Sequence, residues 1–186
     1  QRSAYVATVS EFFSVQTSAI IGQLSRAAQG DVAAEQISAW AQQIDVLRAS
    51  LDRDMQGMVC FEFTIPRIGR RVDNVLLLGN RVLVLEFKVG AKHYDAAAQI
   101  QVEDYALDLK NFHVGSHHAQ IVPVLVATLA PEIPYTYAYP VDDIYPVIKA
   151  NAVSLKQVLM ELALPPHTQR FDGFTWVTAG SSPTPT

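Results

Sequence analysis

The sequence predicts a layered α/β domain, a mixed sheet with helices packed against it. Three observations carry that prediction. The hydrophobic period is helical up to about Leu51, alternating from Val59, and helical again from Asp95. The alternating stretch holds three strand-like runs separated by turns, which makes a meander. A further apolar run and a smaller α/β tail follow the second helical stretch, an order that fits one sheet with helices against it.

The elements can be justified in order. From Ser3 to Gln29 the chain is rich in Ala, Ser and Gln, with apolar positions at Phe12, Val15, Ile20 and Leu24, and reads as one helix or two short ones. Gly30-Asp31 breaks that pattern, and Asp31 supplies a cap for a second helix. Its core stripe is Ile37, Trp40, Ile44, Leu47 and Leu51, ending before Gly57. Val59 to Ile65 is a strand and Pro66 to Gly69 a turn. Arg71 to Leu78 is a second strand, Gly79-Asn80 a tight hairpin, and Arg81 to Val89 a third strand. The third is apolar on both faces over Val82 to Leu85, so it belongs at the centre of the sheet. Asp95 to Phe112 is helical, and Gln120 to Leu129 is a fourth strand. Beyond the Tyr/Pro-rich stretch from Pro131 to Pro146, Leu155 to Leu162 reads as a helix and Gly173 to Thr178 as a short strand.

Composition narrows the class. The 186 residues suit one domain, placed at 1–180 with a core at about 31–129. The Ser/Pro/Thr-rich 181–186 reads as the start of a linker, and a chain with no initiator methionine reads as part of a longer protein. Apolar residues at 49% and charged residues at 17% exclude a disordered polyelectrolyte. The single cysteine, Cys60, excludes a disulfide scaffold and a four-cysteine zinc site, and fits a reducing compartment, here expected to be the cytoplasm. No run is apolar and long enough to span a bilayer, and the start carries no signal-peptide layout. The net charge of −4 is uneven. Met58 to Lys92 holds six basic and three acidic residues, a balance of +3, which leaves −7 for the remainder. Such a window is either a solvated face or a basic rim around a few carboxylates.

The informative residues are Asp73, Glu86 and Lys88. In a hairpin turning at Gly79-Asn80, residues whose numbers sum to about 159 face each other, which pairs Asp73 with Glu86. Alternation places Glu86 and Lys88 on one face of their strand. Two carboxylates and an ammonium thus converge at one end of a Val/Leu-rich sheet. A structural ion-pair cluster would account for them, but apolar residues fill such a place at less cost, which favours a functional role. The bare acidic-x-Lys pattern is weak, since Asp108-Leu109-Lys110 also matches. That copy is helical, where positions i and i+2 point about 200° apart and cannot share a site.

The pattern Asp73…Glu86-x-Lys88 at the ends of adjacent strands, followed by a helix carrying Gln99, resembles the PD-(D/E)xK nuclease superfamily. The likeness covers roughly Glu35 to Thr128. The segments "FEFTIPRIGRRVDNVLLL", "VLEFKVG", "QIQVEDYALDLKNFH" and "IVPVLVAT" look like the nuclease-like domain that precedes a helicase-type ATPase in a family of bacterial proteins. The resemblance implies a restriction-endonuclease-like αβββαβ core and hydrolysis of phosphodiester bonds with Mg²⁺ or Mn²⁺. It implies nucleic acid as substrate, DNA first and RNA as the alternative, and a C-terminal ATPase or helicase as neighbour. It assigns Asp73, Glu86 and the backbone carbonyl of Phe87 to the metal, Lys88 to the attacking water and the phosphate, and Gln99 to the substrate-facing edge of its helix. Glu62 or Glu35 would add a further carboxylate. Val72 stands where the superfamily's name places proline, a residue without a chemical role.

Other residues have weaker claims. Arg67, Arg70 and Arg71 flank the turn before Asp73 and would contact phosphates, as would Lys92. Tyr105 is a further candidate, though packing explains it as well. Gln99 can equally be a helix-end residue satisfied by backbone. His113, His117 and His118 fit loop positions better than a metal site, because Gly115 interrupts any helix that would align them. No Gly-rich loop ending in Gly-Lys-Ser/Thr is present, so the chain is not itself an NTPase. Three functions compete: a metal-dependent nuclease, a catalytically silent nuclease-fold module that binds nucleic acid, and a protein-interaction domain. Two close carboxylates facing a phosphate path favour the first.

Overall fold

The computed structural model describes residues 2–136, 139–163 and 172–183. It is an α/β architecture in which a six-stranded mixed sheet lies between two layers of helices. The strands stand side by side in chain order: β1 (Ser3–Thr8), β2 (Gly57–Thr64), β3 (Arg71–Leu78), β4 (Arg81–Lys88), β5 (Gln120–Ala127) and β6 (Ile148–Ala150). The first three pairings are antiparallel and the last two parallel. Gly79 turns the β3–β4 hairpin at φ 62°, a left-handed conformation that costs glycine little. β4 is buried from Arg81 to Phe87 and sits between β3 and β5, the central position that its unbroken apolar run requires.

Each face of the sheet has its own apolar core. On one face α1 (Val9–Ser14), α2 (Thr17–Ala27), α3 (Ala34–Ser50) and α5 (Leu155–Ala163) cover Val59, Phe61, Leu76, Leu83 and Val124. On the other, α4 (Ala96–Phe112) packs Val102, Ala106 and Leu109 against Cys60, Val75, Val84 and Leu125, with Trp176 of α6 (Gly173–Thr178) beside them. The α3 stripe is buried at Trp40, Ile44, Leu47 and Leu51, whereas Ile37, in the exposed first turn of the helix, is 38% exposed.

Three expectations are corrected. Residues 3–8 form an edge strand instead of the start of a helix: Ser3, Tyr5 and Ala7 point inward with strand alternation, and the segment pairs with β2 from Ser3↔Phe63 to Thr8↔Met58. Pairing with β2 overrides the helical bias of Ala. Thr8 then caps α1 by accepting a 3.2 Å bond from the Glu11 N–H. Asp31 does not cap α3; the N-cap is Ala33, without a side-chain bond. Residues 173–178 are a helix, because Asp172 accepts from the N–H groups of Phe174 and Thr175 at its start. A sixth strand, unforeseen, follows the Tyr/Pro-rich connection and extends the sheet beyond β5. Ser181 and Ser182, expected to begin a linker, pair with the backbone at the end of α4, where Ser182 N–H donates to Phe112 at 3.0 Å.

Near the end of β2 the pleat reverses. Glu62 takes φ 52°, a left-handed conformation uncommon outside glycine. Phe61 packs with Tyr5 and Phe12 on the α1–α3 face, and strict alternation would return Phe63 there. Phe63 instead lies in the α4-side core against His113 and Trp176. β3 reverses alongside, for Val72 and Val75 occupy the same core although three residues apart. Glu62 and Asp73 therefore lie where two adjacent strands break their alternation.

His113 closes α4 and is fully buried. Its Nδ1 is 2.8 Å from Ser116 Oγ, and its ring meets Trp176 edge-on at 4.5 Å. Burial lowers its pKa to about 4. Because the folded value lies below the unfolded one, His113 contributes its full stability above about pH 6.5 and loses it as pH falls toward 4. Chemical denaturation of wild type and His113→Phe at pH 7 and pH 4.5 cancels the titration of other groups. The stability difference should move by about 2 kcal/mol in the variant's favour at the lower pH; a constant difference would show that His113 charges freely in the fold.

Candidate active site

Two strand ends and one helix build the site. The β3–β4 ladder runs from Leu78↔Arg81 to Asn74↔Leu85, so Asp73 and Glu86 are the next facing pair. In the same manner Phe61↔Asn74 and Phe63↔Val72 bracket Glu62 and Asp73 across β2 and β3. Glu62, Asp73 and Glu86 thus form a row across three neighbouring strands. Phe87 N–H donates to Asp73 Oδ2 at 2.8 Å, which fixes that carboxyl against β4. Lys88 Nζ lies 3.3 Å from Glu86 Oε1. The lysine side chain is 41% exposed and that of Glu86 8%, so the pair runs from the interior to the surface.

The electrostatics are those of carboxylates with too little compensating charge. Asp73 is pushed up to about 8, first by burial and then by the neighbouring Glu86 carboxylate; the Phe87 N–H, with Lys88 beyond it, only partly offsets this. Glu86 is raised as well, by burial, against the pull of Lys88. With Asp73 raised to about 8 and Glu86 raised beside it, the metal-free pair resists carrying two full negative charges at neutral pH. Among the described residues, no group of three or more His, Cys, Asp or Glu side chains could hold a metal ion. Mg²⁺ needs fewer: one or two carboxylates with waters complete its octahedron. Asp73, Glu86 and the carbonyl of Phe87 fit that demand, since a divalent cation would offset the burial that raises both carboxyls and the Glu86 charge that raises Asp73 further.

Around this centre the predicted residues divide. Glu62 joins the row: its Oε1 accepts from the Trp40 indole N–H at 3.0 Å and its Oε2 is 3.8 Å from Arg71. Its charge acts on both Asp73 and Glu86. Glu35 lies exposed in the first turn of α3, with no interaction placing it at the row. Gln99 turns its amide back to the Tyr94 carbonyl at 3.0 Å, the helix-end arrangement. Gln101 takes the place expected of it, its Oε1 at 3.5 Å from Lys88 Nζ and its Nε2 donating to the Tyr105 hydroxyl at 2.8 Å. The four-residue spacing of Gln101 and Tyr105 on one helical face was the available signal. Burial and the Glu86 carboxylate raise Tyr105, which keeps the phenol protonated.

The basic residues differ in how they are engaged. Arg70 spans to α4, 3.8 Å from both Asp104 and Asp108 and over the Tyr105 ring at 5.9 Å. Arg71 faces Glu62, while Arg67, at φ 69° in the turn, and Lys92, past β4, are exposed. His117 meets the Ser182 carbonyl at 3.0 Å, as a loop residue would. No helix among the described residues is long and apolar enough to cross a membrane.

Comparison with models of protein families, with curated proteins and with solved structures found no match to this chain.

The carboxylate row makes a stability prediction. The folded pKa of Asp73 lies above its unfolded value, so its contribution is full below about pH 4 and lost as pH rises through about 8. In chelator, Asp73→Asn should therefore gain on wild type as pH rises from 5 to 9, because the amide keeps the bond from Phe87 without the charge. Excess Mn²⁺ should reverse the order by stabilising wild type alone, by about 2.7 kcal/mol at a hundred times the dissociation constant. Melting of wild type that ignores the metal would leave Asp73, Glu86 and Lys88 as a structural cluster.

Proposed function

We propose that this chain is a metal-dependent nuclease domain that hydrolyses phosphodiester bonds in DNA, with RNA as the alternative substrate. One observation carries the proposal: two buried carboxyls, Asp73 and Glu86, both raised above the usual carboxylate range, face each other at the ends of β3 and β4 beside the half-exposed Lys88. A pair raised in this way is poorly suited to a structural role and well suited to a cation and a phosphate. The succession α3-β2-β3-β4-α4-β5 has the αβββαβ order of a restriction-endonuclease-like core, which supports the same reading.

Asp73, Glu86 and the Phe87 carbonyl would hold Mg²⁺ or Mn²⁺. When bound, the ion lowers the pKa of a water molecule and stabilises negative charge on the leaving oxygen. Lys88, drawn between Glu86 and Gln101, places its ammonium at the exposed edge of the pair. There it orients the attacking water and faces the charge that grows on the non-bridging phosphate oxygens. The water oxygen bonds to phosphorus, the bridging phosphorus–oxygen bond breaks, and the departing oxygen takes a proton. Gln101 and Tyr105 hold Lys88 from the helix side. Arg67 and Arg71 flank the path along which the strand would lie, and the resemblance adds a neighbouring ATPase that would deliver it.

Cleavage of labelled DNA and RNA in Mg²⁺ and in Mn²⁺ is the direct test. Asp73→Ala, Glu86→Ala and Lys88→Ala should each lower the rate by at least about a hundredfold, since groups acting around one metal fail as a unit. Circular dichroism should remain that of wild type. A Glu86→Ala protein that cuts at the wild-type rate would remove the row from the chemistry.

Phosphate contact has a separate readout. Replacing Arg67 and Arg71 by Ala should weaken binding without sequence preference and flatten the log–log salt dependence by about 2. Arg70→Ala should change the slope less, because its guanidinium is already shared with Asp104 and Asp108. An unchanged slope in the double variant would place the nucleic acid elsewhere on the surface.

A further inference from the structure

A cleft of about 730 Å³ opens beside the carboxylate row. Its walls are the start of β1, the C-terminal end of α2 and the reversed stretch of β2; Glu62 belongs both to the cleft and to the row, and Arg71, which also lines the cleft, lies 3.8 Å from it. Its origin is the left-handed turn at Glu62. Phe63 leaves the α2–α3 face for the α4-side core, and the cleft lies against the stretch that the phenyl ring would otherwise fill. Small side chains, Ala4 and Ala28 among them, leave the space open.

The lining offers two kinds of group. Arg2 and Arg71 supply two guanidinium groups, and the Arg2 carbonyl is tied down by the Thr64 N–H at 2.7 Å. The C-terminus of α2 also lines the cleft, where a helix exposes carbonyl oxygens and the negative end of its dipole, with Gln29 beyond it. An anion is favoured at the arginines and hydrogen-bond donors at the helix end. A nucleotide has both, a phosphate and the amino or imino groups of a base. The volume falls in the range of about 300–1,000 Å³ of small-molecule sites, enough for one or two nucleotides and too small for a base-paired duplex with a major groove about 12 Å wide.

We propose that this cleft receives an unpaired nucleotide of the substrate strand next to the scissile phosphate, so that the domain acts on single-stranded or overhanging ends. The inference rests on the nuclease reading above and specifies its substrate. The base lies toward Ala28 and Gln29, and its phosphate lies toward Arg71, which hands the strand to Glu62 and the Asp73–Glu86 pair.

Binding to the non-cleaving Glu86→Gln protein in Mg²⁺ tests it, by fluorescence anisotropy with three DNA probes. These are a blunt duplex, the same duplex with a four-nucleotide overhang, and the single strand. The overhang and the single strand should bind roughly tenfold more tightly than the blunt duplex, the scale of one stacked or phosphate-bound nucleotide. Ala28→Trp, which fills the cleft, should bring the overhang down to the level of the blunt duplex. Arg2→Ala should do so in part and serves as the measure if the tryptophan variant melts early. Equal binding of blunt and overhanging probes, or a preference untouched by both variants, would overturn the proposal while leaving the nuclease reading intact. Thymidine monophosphate binding as tightly as the overhang would assign the cleft to a free nucleotide and likewise overturn it. Failure of all three DNA probes and of a single-stranded RNA of the same sequence to bind would overturn the nuclease reading itself.

Discussion

The pairing of β3 with β4 is the constraint on which the rest of the structure depends. The two strands turn at Gly79, run in a single register and are covered by apolar cores on both faces. A slip of one residue would exchange the two sets of side chains and place each against the wrong helix layer. The same register brings Asp73 opposite Glu86, so the apolar packing that stabilises the sheet also forces two carboxyls together at its end. Parallel pairing of β4 with β5 then carries the chain over α4, which delivers Gln101 and Tyr105 to Lys88.

The cost of this arrangement is visible in the protonation of the pair. Burial raises both carboxyls and the Glu86 charge raises Asp73 further, and Lys88 offsets only part of that because much of its charge is turned to solvent. A structural ion pair would be better served by a lysine as enclosed as its partner. Here the cation reaches outward to solvent, and the carboxyls stay behind it. The neighbouring helix keeps Lys88 in place through an uncharged amide, which orients the ammonium without cancelling it.

Glu62 joins this centre to the surface beside it. Its left-handed backbone lets one carboxyl reach the Trp40 indole on the α3 side while acting electrostatically on Asp73. Strain of about 1–3 kcal/mol is typical of such a conformation and persists only where surrounding contacts over-determine it. The contacts here are the indole bond, the guanidinium of Arg71 and the seat of Phe63 between His113 and Trp176. Moving Phe63 across the sheet both completes the α4-side core and opens the cleft on the other face.

Much of the centre was legible in the sequence. Alternation and the Gly79-Asn80 turn determined the β3–β4 register, and a run apolar on both faces placed β4 in the middle. The meeting of Asp73, Glu86 and Lys88 followed from those local rules. Only the tertiary structure decided the rest. The Ala/Ser-rich Ser3–Thr8 becomes a strand because β2 has an open edge to fill, and Ile148–Ala150 becomes one because β5 does. Gly173–Thr178 has strand-like composition, yet it is a helix capped by Asp172 with Trp176 packed beneath it. Gln99 and Gln101 differ by two residues, about 200° around a helix, and only the seating of α4 on the sheet selects which one meets Lys88. The turn at Glu62 left no mark in the residue pattern, because its cause lies in contacts with Trp40, Arg71, His113 and Trp176, all but Arg71 far away in the chain. Local periodicity can specify which residues face each other across one hairpin; it cannot specify contacts made by a side chain that leaves its own face.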